Sequence, residues 1–235
     1  MRDKYKDEEY FEIYIQEAFK SIEFLNNALK ERQSDLDRRR RVIGGIEQDY
    51  SDLIKAQYSY GKDLYKIEEY YNNYVPMLLE IWGKGGSILE IYDSLALSVL
   101  LQTKQNLWEI PLDLAKKYGR EDAITNLYER YLRDHVIEVK GKSSFGRHYD
   151  KLLDIISNSE NIAESLVVYL RRDWYRGNKG MYWYGRHKNN QFNTYNGYWS
   201  LEAAAVAKMC NIDDTILKDK PYYPYDLVHY KEIVG

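Results

Sequence analysis

Four histidines, His135, His148, His187 and His229, and one cysteine, Cys210, are the residues of this chain best suited to metal or nucleophile chemistry. Their spacing argues against most of it. No H-E-x-x-H and no paired Cys/His arrangement is present, and those spacings are what set two ligands on one side of a zinc ion. His187 stands in Gly-Arg-His-Lys-Asn-Asn, which has the look of a metal-dependent nuclease loop, and the helix after it carries a single acid, Glu202. A hydrolase or nuclease built on the His187–Glu202 region is one reading. Such loops need further ligands in a ββα setting, so a loop histidine bonded to tyrosine or backbone groups is the simpler one. No G-x-S-x-G elbow occurs, and Gly83-Lys-Gly-Gly-Ser87 lacks the P-loop spacing. Cys210 ends an apolar helix and reads as a small packing group rather than a thiolate. No catalytic, metal-ligating or cofactor-binding residue is assigned, and no cofactor is expected.

The elements that would position these groups are helical. Phe11, Ile15, Ala18, Ile22, Leu25 and Leu29 follow the 3-4 rhythm of one apolar helix stripe. A second series runs Ile43, Ile46, Tyr50, Leu53, Gln57, Tyr60, and continues Leu64, Ile67, Tyr71, Tyr74, Leu78, Ile81. Gly61 interrupts it, which predicts two helices with a break there. Pro76 falls inside the later one and should kink it. Ser87 followed by Glu90 predicts a capped apolar helix to about Gln105. Pro111 opens a short helix that Gly119 ends, and another spans about Glu121 to Asp134. His135–Val139 reads either as a short strand or as the frayed end of that helix. Further helices are predicted at about Arg147–Ile156 and Glu160–Tyr175, the latter capped by Ser157 or Ser159, and from Gly197 to about Cys210 with Asn196 as N-cap. The expectation is an all-α protein, an antiparallel bundle of about eight or nine helices with at most one short strand pair. A soft boundary at Gly83–Gly86 separates an N-terminal helical module, residues 1–83, from a C-terminal helical domain, residues 84–235.

Composition narrows the class of protein. A chain of 235 residues, 44% hydrophobic and 30% charged, can bury a core and is globular. A net charge of −3 lacks the basic footprint of a nucleic-acid binder, so no direct nucleic-acid contact is expected. Arg38–Arg41 is the one basic run, and Asp35, Asp37, Glu47 and Asp49 flank it, so local charge pairing is the simpler account. One cysteine and no apolar leader fit a cytoplasmic protein. The most apolar run, Ile88–Leu101, is short for a membrane span and contains Glu90 and Asp93, so no membrane association is expected. Tyrosine outnumbers phenylalanine 25 to 5. Each tyrosine ring wants burial and each hydroxyl a partner, which suits a wet core boundary or an interaction surface.

The last fifth of the chain is its most distinctive part. It combines Gly-Tyr-Trp-Ser-Leu-Glu-Ala-Ala-Ala-Val-Ala-Lys at 197–208, the pair Asp213-Asp214, and Pro-Tyr-Tyr-Pro-Tyr-Asp-Leu at 221–227. These residues resemble the C-terminal signature of PoNi-type immunity proteins, which neutralise PoNe-type DNase toxins of bacterial polymorphic toxin systems. Gln-Tyr-Ser-Tyr-Gly-Lys at 57–62 looks like the family's N-terminal module. The resemblance implies a cytoplasmic protein without catalytic residues that binds a cognate DNase toxin and occludes it. A generic helical interaction module is the alternative.

Tyr195, Gly197, Tyr198, Trp199, Glu202, Asp213, Asp214, Tyr222, Tyr223 and Tyr225 carry the signature and are read as structural. Trp199 is expected to be buried, and Glu202 to accept hydrogen bonds from Tyr184, His187 or Asn190. Candidate toxin contacts are Glu8, Glu9 and Glu12 on the first helix, Glu68 and Glu69 on the third, and Tyr184, His187 and Asn190 in the aromatic loop. Of Glu68 and Glu69, which follow Ile67 on its stripe, at least one should face solvent.

Overall fold

A computed structural model of the chain describes residues 1–31, 35–83, 85–103, 105–189 and 191–234. These residues are helical, mostly α with short 3-10 and π segments, or irregular, and no strand occurs among them. The chain forms two compact units. One comprises Met1–Gly83 and Gly185–Tyr198, the other Lys84–Tyr184 and Trp199–Gly235.

In the first unit α1 (Glu8–Glu31) and α3 (Lys66–Ile81) both pack on α2 (Leu36–Tyr60). The stripe of α1 is buried at Phe11, Ala18 and Ile22 and half-buried at Ile15, Leu25 and Leu29. Ile43, Ile46 and Leu53 of α2 meet Ile67, Tyr71, Tyr74 and Leu78 of α3 in the same core. Gly61 breaks the α2–α3 series as expected. It sits at φ +84° and gives its N–H to Gln57 O, and a Cβ there would lie 2.9 Å from the Met1 backbone. Only glycine fits that left-handed position at low cost. Pro76 lies within α3, which runs on to Ile81. Asp35 caps α2 by accepting from Arg38 N at 3.0 Å. Arg39 forms a two-pronged pair with Glu80 at 2.9 and 3.0 Å, so the basic run is tied to α3 and not only to the acids beside it in sequence. Residues 191–198 have no regular secondary structure and end in the buried run Tyr195–Tyr198.

In the second unit α4 (Ile88–Leu101) is central. Ser87 caps it by accepting from Leu89 N. Around it lie α5 (Glu109–Lys117), α6 (Ala123–Asp134) and α10 (Leu201–Met209). Ala203, Ala204, Ala205 and Ala207 are completely or almost completely buried, and their small side chains let α10 approach α4 closely. Next come α7 (Arg147–Asn158) and α8 (Ile162–Tyr169), which continues through a π-turn at Leu170–Trp174 into α9 (Tyr175–Gly177). The short helices α11 (Tyr225–Val228) and α12 (Tyr230–Val234) close the unit.

Two sequence expectations differ from the structure, and one open choice is narrowed. Of the two readings of His135–Val139 the strand is not seen: the segment is irregular, and His135 at φ +54° caps the end of α6. The cap of α8 is Asn161, which accepts from Glu164 N at 3.1 Å, while Ser159 ends α7. The last long helix starts at Leu201 under a Ser200 cap, four residues later than expected. Asn196 cannot cap it, because its side chain donates to Asp52 Oδ1 at 2.7 Å within the first unit. No described helix is long and apolar enough to cross a membrane.

Candidate functional site

The signature residues form two separate clusters, one in each unit. In the second unit Glu202 sits in the first turn of α10 and is 4% exposed. Burial, with Asp93 adding repulsion, pushes its carboxyl up to about 7, against the opposing hydrogen bonds from Trp174 and Ser200. Trp174 Nε1 donates to Glu202 Oε1 at 2.5 Å. The sequence reading named Tyr184, His187 or Asn190 as its donors. Tyr184 instead stacks on Tyr175 at 4.3 Å, His187 belongs to the other unit, and Asn190 lies outside the described residues.

Trp174 is the buried tryptophan of this cluster, at 4% exposure, whereas Trp199 is only half-buried. The Trp174 ring stacks on Trp183 at 5.7 Å and lies 5.0 Å from Tyr222, which stacks in turn on Tyr175 at 5.3 Å. Tyr222 takes φ +69°, and its carbonyl accepts from Ser200 N at 2.7 Å. The aromatic strap is thereby fastened to the start of α10.

The aspartate pair divides its work. Asp213 is exposed and holds Thr215 through the hydroxyl at 2.5 Å and the backbone N–H at 3.0 Å. Asp214 is buried and accepts from the Tyr223 hydroxyl at 2.7 Å and from His229 Nε2 at 3.0 Å. His229 Nδ1 also lies 3.0 Å from Glu232. Burial works against charge on His229, but Asp214 and Glu232 outweigh it and raise its pKa. Tyr225 is half-buried and packs on the His229 ring at 4.5 Å.

A pocket of about 460 Å³ nearby is lined in part by Gln102, Tyr131, Lys208, Asn211 and Lys231. Lys208 Nζ donates to Leu100 O at 3.0 Å and Val228 O at 2.7 Å. Its charge therefore answers the carbonyl ends of α4 and α11 rather than a ligand.

The first unit holds Tyr195, Gly197 and Tyr198. The Tyr195 hydroxyl donates to Asp3 Oδ2 at 2.6 Å, and Asp3 Oδ1 accepts from the Tyr5 and Lys6 amides. The Tyr10 hydroxyl donates to Tyr195 O at 3.0 Å and accepts from Tyr195 N at 2.9 Å. Gly197 stands at φ +113°, and Asn196 O accepts from the Ser59 hydroxyl at 3.1 Å. His187 lies on a short 3-10 turn, Arg186–Lys188, with Nδ1 2.9 Å from the Tyr198 hydroxyl and its ring 4.5 Å from that of Tyr5. Partial burial, then Lys188 and Lys6, lower its pKa. His187 and Glu202 are thus each engaged within a different unit. Among the described residues no group of three or more His, Cys, Asp or Glu side chains could hold a metal ion.

The acidic candidates lie on helix surfaces of the first unit. Glu8, Glu9 and Glu12 are exposed on α1, and Glu8 pairs with Lys62. On α3 Glu69 is exposed and Glu68 half-buried, as expected from their position beside buried Ile67. Sequence reasoning missed Trp174, Asp3, Tyr10 and Asp52. Nothing in the local pattern marks them, because each meets its partner from a distant part of the chain.

The family model for PoNe immunity protein (PoNi), N-terminal, matches residues 2–110, and that for PoNe immunity proteins (PoNi), C-terminal, matches residues 124–227. No curated protein and no solved structure matches the chain. Two family models in the expected order cover nearly the whole sequence, and the chain belongs to the PoNe immunity protein (PoNi) family.

Proposed function

We propose that this protein is the cytoplasmic immunity partner of a PoNe-type DNase toxin, which it binds and occludes. The observation that carries this reading is the match of both halves of the chain to PoNe immunity families. A DNase attracts phosphates with positive charge. An inhibitor that works by occlusion needs a stable scaffold and a surface of opposite sign, and no catalytic group. The net charge of −3 and the acidic helix surfaces of the first unit suit that task.

Within this reading Glu8, Glu9, Glu12, Glu68 and Glu69 remain contact candidates, with Tyr184 and His187 as secondary ones. The ten signature residues serve the scaffold. Co-expression with the cognate toxin in a susceptible bacterium tests the proposal. Survival and co-purification of a complex are expected. Cell death at matched expression, with no complex recovered, rejects it.

A further inference from the structure

The α1 helix spends only one stripe on the core. Outside that stripe it leaves Ile13 and Phe19 at 40% and 41% exposure and Phe24 at 72%, the most exposed large apolar side chain among the described residues. The same helix carries six glutamates against two lysines. Its formal charge of −4 exceeds in magnitude the −3 of the entire chain. Glu9, Glu12 and Glu23 are exposed and have no ion-pair partner among the described residues. Phe19 is not isolated. Its ring lies 5.8 Å from that of Tyr70 on α3, next to exposed Glu69. This contact joins the acidic surface of α1 to that of α3.

Single exposed apolar side chains are ordinary on a surface, but here Phe19 and the pair Ile13 and Phe24 flank an unpaired row of carboxylates on both sides. Apolar anchors set among carboxylates of one sign match a protein-binding face, in which the anchors hold the complex and the charge steers its formation. The charge also selects the occupant. A second copy would bring two such helices of charge −4 together, and an anionic membrane surface would repel the face as well. We infer that the outer surface of α1, where Glu9, Glu12 and Glu23 run between Phe19 on one flank and Ile13 and Phe24 on the other, docks together with Glu69 of α3 on a cationic protein surface, the DNA-binding groove of the toxin. The inference rests on the toxin-binding reading above and adds the surface and the mode, competition with DNA for the same groove.

The test uses the full-length protein and a nuclease-inactive cognate toxin. Association and dissociation rates are measured over a range of salt concentrations. The charge-reversal triple Glu12→Lys, Glu23→Lys, Glu69→Lys should slow association about tenfold or more at low salt and flatten its salt dependence. Phe19→Ala with Phe24→Ala should mainly speed dissociation. A control triple in the second unit, Glu121→Lys, Glu160→Lys, Asp219→Lys, should leave both rates near wild type. Duplex DNA should compete with the wild-type protein for the toxin. All these side chains are exposed, so circular dichroism should show folded variants. Wild-type binding with unchanged rates in the first triple and in the phenylalanine pair overturns the surface assignment alone. Binding that DNA does not compete with overturns the mode. No wild-type binding at all overturns the toxin-binding reading and this inference with it.

Discussion

Trp174 donates its indole proton to Glu202 at 2.5 Å, and both residues are only 4% exposed. A buried carboxyl that titrates near 7 is a liability when ionised, and the indole is one of the few groups that offset it. The pair makes the stability of the second unit depend on pH in a defined direction. Between the ordinary value of 4.5 and about 7 the folded protein holds a proton on Glu202 that the unfolded chain has lost. This contribution is complete below 4.5 and disappears as pH rises through 7.

Glu202→Gln should therefore gain stability relative to wild type as pH rises from 4.5 to 8. The gain should reach about 3 kcal/mol by the free-energy equivalent of the shift. His148, held neutral by burial down to about 4, acts in the opposite direction below 6.5. Its effect is common to both proteins and cancels in the difference. Thermal unfolding of the two proteins across that pH range checks this, and a difference that does not change with pH would remove the role of Glu202.

The two tryptophans of the C-terminal region should behave unequally. Trp174→Ala removes a buried ring and a donor to Glu202, and should cost about 3–5 kcal/mol. Trp199→Ala at a half-buried site should cost clearly less. Trp174→Phe keeps most of the ring but deprives Glu202 of its donor, at about 1–3 kcal/mol. Denaturant titration ranks the three, and equal losses for the two alanine variants would contradict this account.

Tyr195→Phe tests the tie between the 185–198 segment and the N-terminus. It leaves Asp3, 8% exposed, without its bond from the tyrosine hydroxyl. The expected loss is about 1–3 kcal/mol. The Tyr5 and Lys6 amides, which donate to the other Asp3 oxygen, should lose hydrogen-exchange protection. Wild-type protection at both amides would show that the tie is unimportant.

Gly177→Ala should destabilise through the His148 ring. An added Cβ would meet the ring at 2.6 Å, and that ring is buried. Overpacking of this kind costs about 1–3 kcal/mol. In the background of His148→Ala the same substitution should cost much less, a coupling that a double-mutant cycle measures directly. Strict additivity would point instead to backbone strain at residue 177.

Helix identity was legible in the residues themselves, because helix periodicity and capping depend on neighbours three or four positions apart. The stripe from Phe11, the break at Gly61, the Ser87 cap and the end at Gly119 all belong to that class. The family was legible for a related reason, since the signature is carried by short contiguous segments. Pairing between distant segments was not legible, because it depends on how the chain returns on itself. Glu202 could not be matched to Trp174, nor Arg39 to Glu80, from spacing alone. Asn196 looked like a helix cap until Asp52, 144 positions away, claimed its side chain and left Ser200 to start α10. A buried polar group takes whichever partner the tertiary structure brings within hydrogen-bond distance. Topology therefore decided where Glu202, Tyr195 and Asp214 found theirs.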